Sequence, residues 1–369
     1  MTHPVYVSGY TKESGKGIYL YDFDANTGDL LNGKLVAECE NPSFLALHPS
    51  SQQLISVNET DSYQDRHGTG FISAYRRDEQ TGMLSLVNTK ASEGSEPCHA
   101  TIWGHYVFVA NYTGGTTSLF SLSSNEGLSD PCSVIDHAKQ GLKPTMGVPD
   151  RQEAPHCHAV DLDHVERRKV IVMDLGCDLA TLYSFDAHAD QELGTMHLDV
   201  TNTQHFQFPK GTGPRHIAFA PNMRSFAYVM GELTNELFML ELDLLQNKFH
   251  LVQRISALPP DVTPTRDMLG AEITVAPNGR YLYTTIRGHD SVSVFYIDDR
   301  TGKLSFVQNV STHGKHPRHF TIDPTGTYLL VGNQHSNNIA VFSIENGTGH
   351  LTFVKAIDHP EPACIQFWT

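Results

Sequence analysis

The chain repeats one order of hydrophobic and polar segments along its whole length. Each copy has a short apolar segment, a turn, a second apolar segment with a polar end, an alternating third segment and a Thr-Gly turn. The clearest copies cover residues 271–304 and 319–351. Alternation with period two and enrichment in β-branched and aromatic residues predict strands rather than helices. Four short strands per repeat are typical of a propeller blade.

Alignment of the repeats predicts seven first strands, with these residues in one register: Phe44, His99, His158, His216, Glu272, His319 and Cys364. The seventh first strand, 362–367, has no second strand after it, whereas 5–10 resembles a second strand without a first. We therefore expect an all-β, seven-bladed β-propeller of four-stranded blades, with the N- and C-terminal strands sharing one blade. Residues 1–369 are predicted to form a single domain.

Polar residues occupy two columns where apolar residues would pack better. The first column is the register of first strands, which line the axis of a propeller and here bring four histidines and a glutamate together. The second column follows the second strands, at Glu59, Tyr112, Leu175, Glu232, Arg287 and Gln334. Two structural interpretations stay open: strand-end histidines that only bond neighbouring loops, and a plain ion pair between Glu232 and Arg287.

Three arginines, Arg215, Arg287 and Arg318, belong to the same predicted region, and two of them lie in Pro-Arg-His triplets. The whole chain is acidic, with 26 Lys and Arg against 41 Asp and Glu and a formal net charge of −15. Clustered arginines in such a chain predict a local site for a small carboxylate or phosphate ligand. The same charge disfavours nucleic acid as a partner.

The cysteines and the distribution of apolar residues indicate the cellular compartment that we expect for the protein. The six cysteines include no CxxC pair, so we expect them to be reduced. The chain starts without a signal-like segment and has no apolar run long enough to span a membrane, so we expect a cytoplasmic protein that does not bind membranes.

Motifs for cofactors are missing from the expected contexts. The His156-Cys157-His158 segment suggests a metal, but strand alternation turns the thiol away from both imidazoles. There is also no P-loop, GxSxG elbow or GxGxxG in a suitable context, which argues against nucleotide binding and serine hydrolase chemistry. We predict no metal and no other cofactor.

Seven ordered segments resemble the lactonase family of seven-bladed β-propellers over essentially the full length. They are Asn-Pro-Ser-Phe-Leu-Ala-Leu-His-Pro (41–49), Ala-Asn-Tyr-Thr-Gly-Gly (110–115), Glu-Ala-Pro-His-Cys-His (153–158), Gly-Pro-Arg-His (213–216), Glu-Leu-Thr-Asn (232–235), Arg-Gly-His-Asp-Ser (287–291) and Pro-Arg-His-Phe-Thr-Ile-Asp-Pro-Thr-Gly (317–326). The resemblance implies catalysis by His158, Arg215, Glu232 and Arg287. Around them we expect substrate contacts from His156, His216, Arg318, His319, Glu59 and Tyr112.

The resemblance further implies hydrolysis of a small anionic sugar lactone, with 6-phosphoglucono-1,5-lactone and its product 6-phosphogluconate as the expected pair. His158 or Glu232 would activate water, and Arg215 or Arg287 would stabilise the oxyanion. Two alternatives stay open: cycloisomerisation of a carboxymuconate by the same acid and base, and a propeller that serves only as an interaction platform. The sequence makes no prediction of oligomeric state.

Overall fold

A computed structural model describes residues 2–185, 197–223, 225–243 and 245–368. Their strands form seven sheets of four or five strands and one two-stranded hairpin. The seven sheets are the blades of a β-propeller, as the repeat predicted. The described helical structure is one short 3₁₀ turn, Gln334–Ser336. Among the described residues, no helix has the length and apolar character that crossing a membrane requires.

Close contacts divide the chain into two compact units. The first unit comprises residues 1–39, 216–242 and 250–369, and the second comprises residues 40–215 and 243–249. Unit boundaries therefore fall inside three strands of one sheet, at 215/216, 242/243 and 249/250.

The first unit holds four sheets, apart from the strand residues Pro214, Arg215, Asp243, Lys248 and Phe249 of one sheet, which belong to the second unit. In spatial order they are β3 (Asp29–Glu38), β2 (Gly17–Asp24), β1 (Thr2–Gly9) and β31 (Pro362–Phe367); β19 (Pro214–Phe219), β20 (Phe226–Gly231), β21 (Glu236–Asp243) and β22 (Lys248–Ser256); β23 (Leu269–Val275), β24 (Tyr281–Arg287), β25 (Ser291–Ile297) and β26 (Leu304–Ser311); and β27 (Pro317–Ile322), β28 (Tyr328–Asn333), β29 (Asn338–Ile344) and β30 (Leu351–Asp358).

The second unit holds three sheets. They are β4 (Pro42–Leu47), β5 (Gln53–Asn58), β8 (Phe71–Arg77) and β9 (Leu84–Ala91); β10 (Pro97–Trp103), β11 (Tyr106–Asn111), β12 (Thr116–Ser123), β13 (Gly127–Leu128) and β14 (Ser133–Asp136); and β15 (Cys157–Leu162), β16 (Lys169–Asp174), β17 (Leu179–Phe185) and β18 (Leu198–Gln207). The hairpin of β6 (Ser62–Tyr63) and β7 (Arg66–His67) interrupts the first sheet. In the second, β13 and β14 pair with successive parts of β12 and so form one broken fourth strand.

The strands from the two ends of the sequence share a blade. β31 pairs antiparallel with β1, with Val7 opposite Ile365 and Val5 opposite Phe367. β1 pairs with β2 along its other edge. This confirms the prediction that segment 362–367 supplies the first strand of the blade that contains segment 5–10.

Burial within the blades explains why polar residues follow the second strands. β5, β11 and β24 are buried at every residue, whereas the fourth strand β30 is buried only at Leu351 and is exposed or partly exposed elsewhere. Apolar side chains therefore fill both faces of the second strand, as expected for a strand enclosed on both sides. The chain becomes polar where this strand ends, at the second-column residues.

Among the strand pairings that the structure describes, five first strands carry a β-bulge one residue after they begin, and β23 shifts register between Gly270 and Ile273. The register skips one first-strand residue at each of the five, and the skipped residues are Ser43, Cys98, His158, Arg318 and Ala363. A bulge sets two residues against one and turns the strand locally, so consecutive side chains leave the sheet near one another. The Pro-Arg-His triplet places Arg215 at the same position by sequence.

The bulge corrects the predicted register at His158. The spacing of the repeats aligned His158 with His99 and His319. In the cross-strand pairing, however, the position that His99 and His319 occupy in their first strands is occupied in this strand by Ala159. The alignment was therefore wrong by one residue at this strand. The reason is that residues 156–158 lack the proline that precedes the bulge in Pro-Cys-His and Pro-Arg-His, so spacing alone selected the histidine.

A repeated turn fastens each of three blades to the start of the next first strand. Three residues after the second-column position, an Asp or Asn adopts positive φ, which these residues tolerate well. Its side chain accepts the N–H of the residue before the next first-strand proline: Asp178 from Gly213 at 2.6 Å, Asp290 from His316 at 2.9 Å and Asn337 from Glu361 at 2.8 Å. We call this contact the Asx clamp. It fixes the loop that leads into the bulged strand.

Candidate functional site

In the first unit, Glu232 and Arg287 form a buried ion pair. Arg287 Nη2 lies 2.9 Å from Glu232 Oε2, and the two side chains are 7% and 1% exposed. The same nitrogen donates to the Gly270 carbonyl at 2.8 Å, and the Gly270 N–H donates to the Glu232 carbonyl at 2.9 Å. These contacts fix the plane of the guanidinium. They also bring together two of the predicted catalytic residues, from the ends of β20 and β24.

A second polar cluster of the first unit joins three first strands. His216 Nδ1 lies 3.2 and 3.1 Å from the two carboxylate oxygens of Glu272. His319 Nε2 lies 3.5 Å from Glu272 Oε2. All three residues are buried. The predicted substrate contacts His216 and His319 thus share one carboxylate, and Glu272, which the prediction left without a role, is at the centre of the cluster.

In the second unit, Tyr112 lies beside both predicted histidines. Its ring stacks on His156 at 4.5 Å between centroids and meets His158 edge-on at 5.3 Å. His156 Nδ1 donates to the Tyr112 carbonyl at 3.0 Å, and Nε2 contacts Glu153 at 3.0 Å. The Cys98 thiol donates to the His158 carbonyl at 3.2 Å, with Sγ 3.9 Å from Nδ1.

Arg215 is buried, with 3% of its surface exposed. The loop before it depends on Asp178, whose carboxylate accepts hydrogen bonds from the Gly213 N–H at 2.6 Å, the Gly211 N–H at 2.7 Å, Thr145 Oγ1 at 2.6 Å and Gln152 Nε2 at 2.8 Å. Sequence reasoning missed Asp178. Its signal was an Asp or Asn three residues after four of the six second-column positions.

Arg318 lies over the ring of Tyr10, 5.2 Å from the ring centroid, and Lys12 lies 5.3 Å from the same centroid. The loop that follows Tyr10 is held by Glu361 Oε2, which accepts hydrogen bonds from the N–H groups of Glu13 and Ser14 at 3.0 and 3.3 Å. Two cations on one aromatic ring make a locally positive surface in an acidic chain. Tyr10 and Lys12 were absent from the predicted site.

Glu59 occupies the predicted end of its second strand, where its N–H donates to the Asn41 carbonyl at 2.9 Å. The equivalent backbone bond joins Tyr112 to Glu96 at 2.8 Å and Gln334 to His316 at 3.1 Å. The second column is thus a real structural register, unlike the first column at His158.

One group of metal-type side chains occurs among the described residues, and it consists of His137, Cys157 and Asp174, all buried. His137 Nδ1 donates to Asp174 Oδ2 at 2.6 Å, and its other nitrogen contacts Tyr183 Oη at 2.9 Å. Burial and the nearby Asp174 charge raise the pKa of the Cys157 thiol well above its usual range. A protonated thiol and a fully bonded imidazole fit a hydrogen-bonded core network better than a metal centre.

This network holds the start of β15. Asp174 Oδ1 accepts the N–H groups of His156 and Cys177, each at 2.9 Å. Although burial alone would raise the pKa of Asp174, the hydrogen bond from His137 and these N–H donors lower it. The ionised carboxylate thereby secures the residue two positions before His158.

Comparison with known proteins identifies the class to which this fold and these residues belong. Residues 4–367 match the family described as "Lactonase, 7-bladed beta-propeller". The chain belongs to this lactonase family.

The 6-phosphogluconolactonase of Bacillus subtilis (strain 168) is 34% identical over 317 residues, which are 85% of this chain and 83% of the relative. The 6-phosphogluconolactonase of Formosa agariphila is 30% identical, covering 86% and 85% of the two chains. The solved structure of the periplasmic gluconolactonase of Pseudomonas aeruginosa superposes with a TM-score of 0.89 at 25% identity, over 100% of this chain and 99% of that one.

Proposed function

We propose that this protein hydrolyses a sugar lactone, with 6-phosphoglucono-1,5-lactone as substrate and 6-phosphogluconate as product. The observation that supports this proposal most directly is the fixed, buried guanidinium of Arg287 in a chain of the lactonase family. The relatives named above are two 6-phosphogluconolactonases and a gluconolactonase, which favours hydrolysis over muconate cycloisomerisation.

In this proposal, Arg287 stabilises the oxyanion. Ester hydrolysis places negative charge on the carbonyl oxygen, and a donor that is already oriented stabilises this charge without reorganising. The contacts of Arg287 with Glu232 and Gly270 supply that orientation. Arg215 and Arg318 are assigned to the anionic group of the substrate, because guanidinium groups bind phosphate through paired hydrogen bonds.

The choice between His158 and Glu232 as base follows from the ion pair. A carboxylate beside a guanidinium is held in its ionised form and is a weaker proton acceptor, so Glu232 serves to orient Arg287. We therefore assign the activation of water to His158. His156, Tyr112 and Glu59 are assigned to substrate contact, and the location is assigned to the cytoplasm because a charged sugar phosphate does not cross a bilayer unaided.

A lactone panel tests the proposal. Acid release in a pH-stat at mildly acidic pH would be compared for 6-phosphogluconolactone, gluconolactone and a carboxymuconate, with enzyme-free buffer as the blank. Rapid hydrolysis of the sugar lactones supports the proposal. Turnover of the muconate alone would replace it with cycloisomerisation, and inactivity with all three would leave an interaction platform.

A further inference from the structure

His216 differs from an ordinary strand-end histidine because a firmly held carboxylate, that of Glu272, lies beside it. Glu272 is 7% exposed, and its side chain accepts the Ile273 N–H at 3.0 Å as well as contacting the two histidines. Its backbone is fixed too, because its N–H donates to Thr285 Oγ1 at 3.1 Å and its carbonyl accepts from Thr284 Oγ1 at 2.8 Å. A buried carboxylate held this firmly can act as a fixed electrostatic partner.

Hydrogen-bond partners define the proton positions on both rings. The Ile365 N–H donates to His319 Nδ1 at 3.3 Å, so the proton of this neutral ring is on Nε2, toward Glu272. His216 turns Nδ1 toward both Glu272 oxygens, so its Nδ1 carries a proton. The carboxylate therefore orients His216 with Nε2 as the position for proton exchange, the arrangement used by carboxylate–histidine pairs in catalysis.

Charge around this pair favours the doubly protonated ring. Glu272 on β23 faces His216 directly, and His319 on β27 faces the same carboxylate. Two arginines directly precede the histidines on these strands, Arg215 on β19 and Arg318 on β27. Glu232 and Arg287 are paired with each other, and Glu272 is the charged group shown at hydrogen-bond distance from His216. A negative group at hydrogen-bond distance stabilises an imidazolium.

We infer that His216, oriented by Glu272, is the general acid that protonates the leaving ring oxygen of the lactone. The inference rests on the proposed function. It assigns a catalytic role to His216, which was expected only to contact the substrate, and a role to Glu272, which had none in the prediction. Glu272 acts through His216 and is a positioning residue.

The proton balance is complete. Water adds to the carbonyl carbon while its proton moves to the general base, giving a tetrahedral oxyanion whose charge Arg287 stabilises. As the bond from carbon to ring oxygen breaks, His216 Nε2 gives its proton to that oxygen, which becomes the product hydroxyl. The base then releases a proton to solvent and His216 takes one up, so no oxidant or further reactant is required.

Leaving-group chemistry provides the sharpest test. His216→Gln and Glu272→Gln would be assayed on the phosphorylated lactone and on its ring thiolactone, whose thiolate leaves without help from an acid. We expect His216→Gln to lower kcat/KM for the oxygen lactone about a hundredfold. The loss should be below about tenfold for the thiolactone, and Glu272→Gln should show the same ordering with smaller losses.

The pH profile gives a readout that a purely structural role would not change. Loss of the Glu272 charge should move the basic limb of kcat/KM to lower pH. His99→Gln is the matched control, because His99 has the same strand position and its Nδ1 accepts the Val160 N–H at 3.4 Å. It should leave both the limb and the thiolactone ratio unchanged.

Two results would overturn the inference. One is equal loss on both substrates with an unmoved basic limb in the Glu272 and His216 variants. The other is a nitrogen-15 imidazole spectrum of the wild-type protein in which His216 carries no proton on Nδ1. Both are distinct from failure of the proposed function, which would appear as a wild-type protein inactive on every lactone. Melting temperatures of each variant identify those that fail to fold.

Discussion

Asp178 accepts the N–H of Gly213 at 2.6 Å, and this single bond ties the end of one second-to-third-strand turn to the loop that leads into Arg215. Asp178 is fully buried. Its carboxylate has donors on both oxygens, so the loop has little freedom to move relative to β16 and β17. The orientation of Arg215 thus depends on a residue that makes no predicted contact with substrate.

We expect Asp178→Asn to remove about 3 kcal/mol of unfolding free energy, because an amide places its own donor against the donors that the carboxylate accepts. Activity should fall with it through a higher KM, since Arg215 is assigned to substrate binding. Denaturant unfolding and steady-state kinetics measure both effects. Asp298→Asn, which changes an exposed turn aspartate with similar local bonds, is the control and should have little effect.

Single and double variants of the Glu232–Arg287 pair should distinguish its contribution to stability from its contribution to catalysis. Either single change leaves one buried charge without its partner, so Arg287→Ala should lower stability by about 3 kcal/mol and kcat/KM about a hundredfold. Replacing both residues with Met and Leu should restore most of the stability but none of the activity. A double variant that regains stability and specific activity together would make the pair purely structural.

Substrate charge should control specificity. We expect at least about tenfold higher kcat/KM for the phosphorylated than for the unphosphorylated gluconolactone, the minimum for one charge-assisted contact. Arg318→Ala should narrow this preference, and added salt should narrow it in the wild type. Equal efficiency toward both lactones at all salt concentrations would contradict the phosphate assignment.

Buried His359 should make the folded state sensitive to acid. Burial lowers its pKa from 6.5 to about 3, while Tyr21 Oη remains 2.8 Å from its Nδ1. Between these values the unfolded chain binds a proton that the folded chain does not, so stability falls as pH falls through this window. The slope from this group is about 1.4 kcal/mol per pH unit.

His359→Gln should flatten the pH dependence of unfolding by that amount, since the amide oxygen still accepts from Tyr21 but does not titrate. Denaturant unfolding at several pH values measures the difference from the wild type. The exposed His67, changed to Gln, serves as control. An unchanged slope in the His359 variant would show that its protonation is not linked to folding.

Removal of residues 361–369 should open the sheet edge of β1. β31 supplies the backbone partners of Val5 and Val7, and Glu361 holds the loop after β1. We expect aggregation or a large fall in Tm, measured by light scattering and calorimetry. A synthetic peptide of residues 359–369 should restore part of the Tm if strand pairing is the cause.

The repeat made the fold accessible from sequence, since strand alternation and Thr-Gly turns recur and do not depend on distant contacts. The second column was also accessible, because Glu232 and Arg287 follow strands that are buried on both faces. The register of His158 was not, because a bulge changes the residue count without changing composition. Asp178 and Tyr10 were missed, and Glu272 was left without a role, because their roles arise from partners far away in sequence.

The bulged first strands have a consequence for how such a protein can change its chemistry. The strand register skips one residue at each bulge, and serine, cysteine, histidine, arginine and alanine all occupy this position in different blades. Single substitutions of Ser43 or Arg318 should alter ligand preference, whereas His158 is the proposed base and Cys98 and Ala363 belong to the buried core. Ser43 and Arg318 are therefore the natural positions to randomise in a library that seeks activity toward a different lactone.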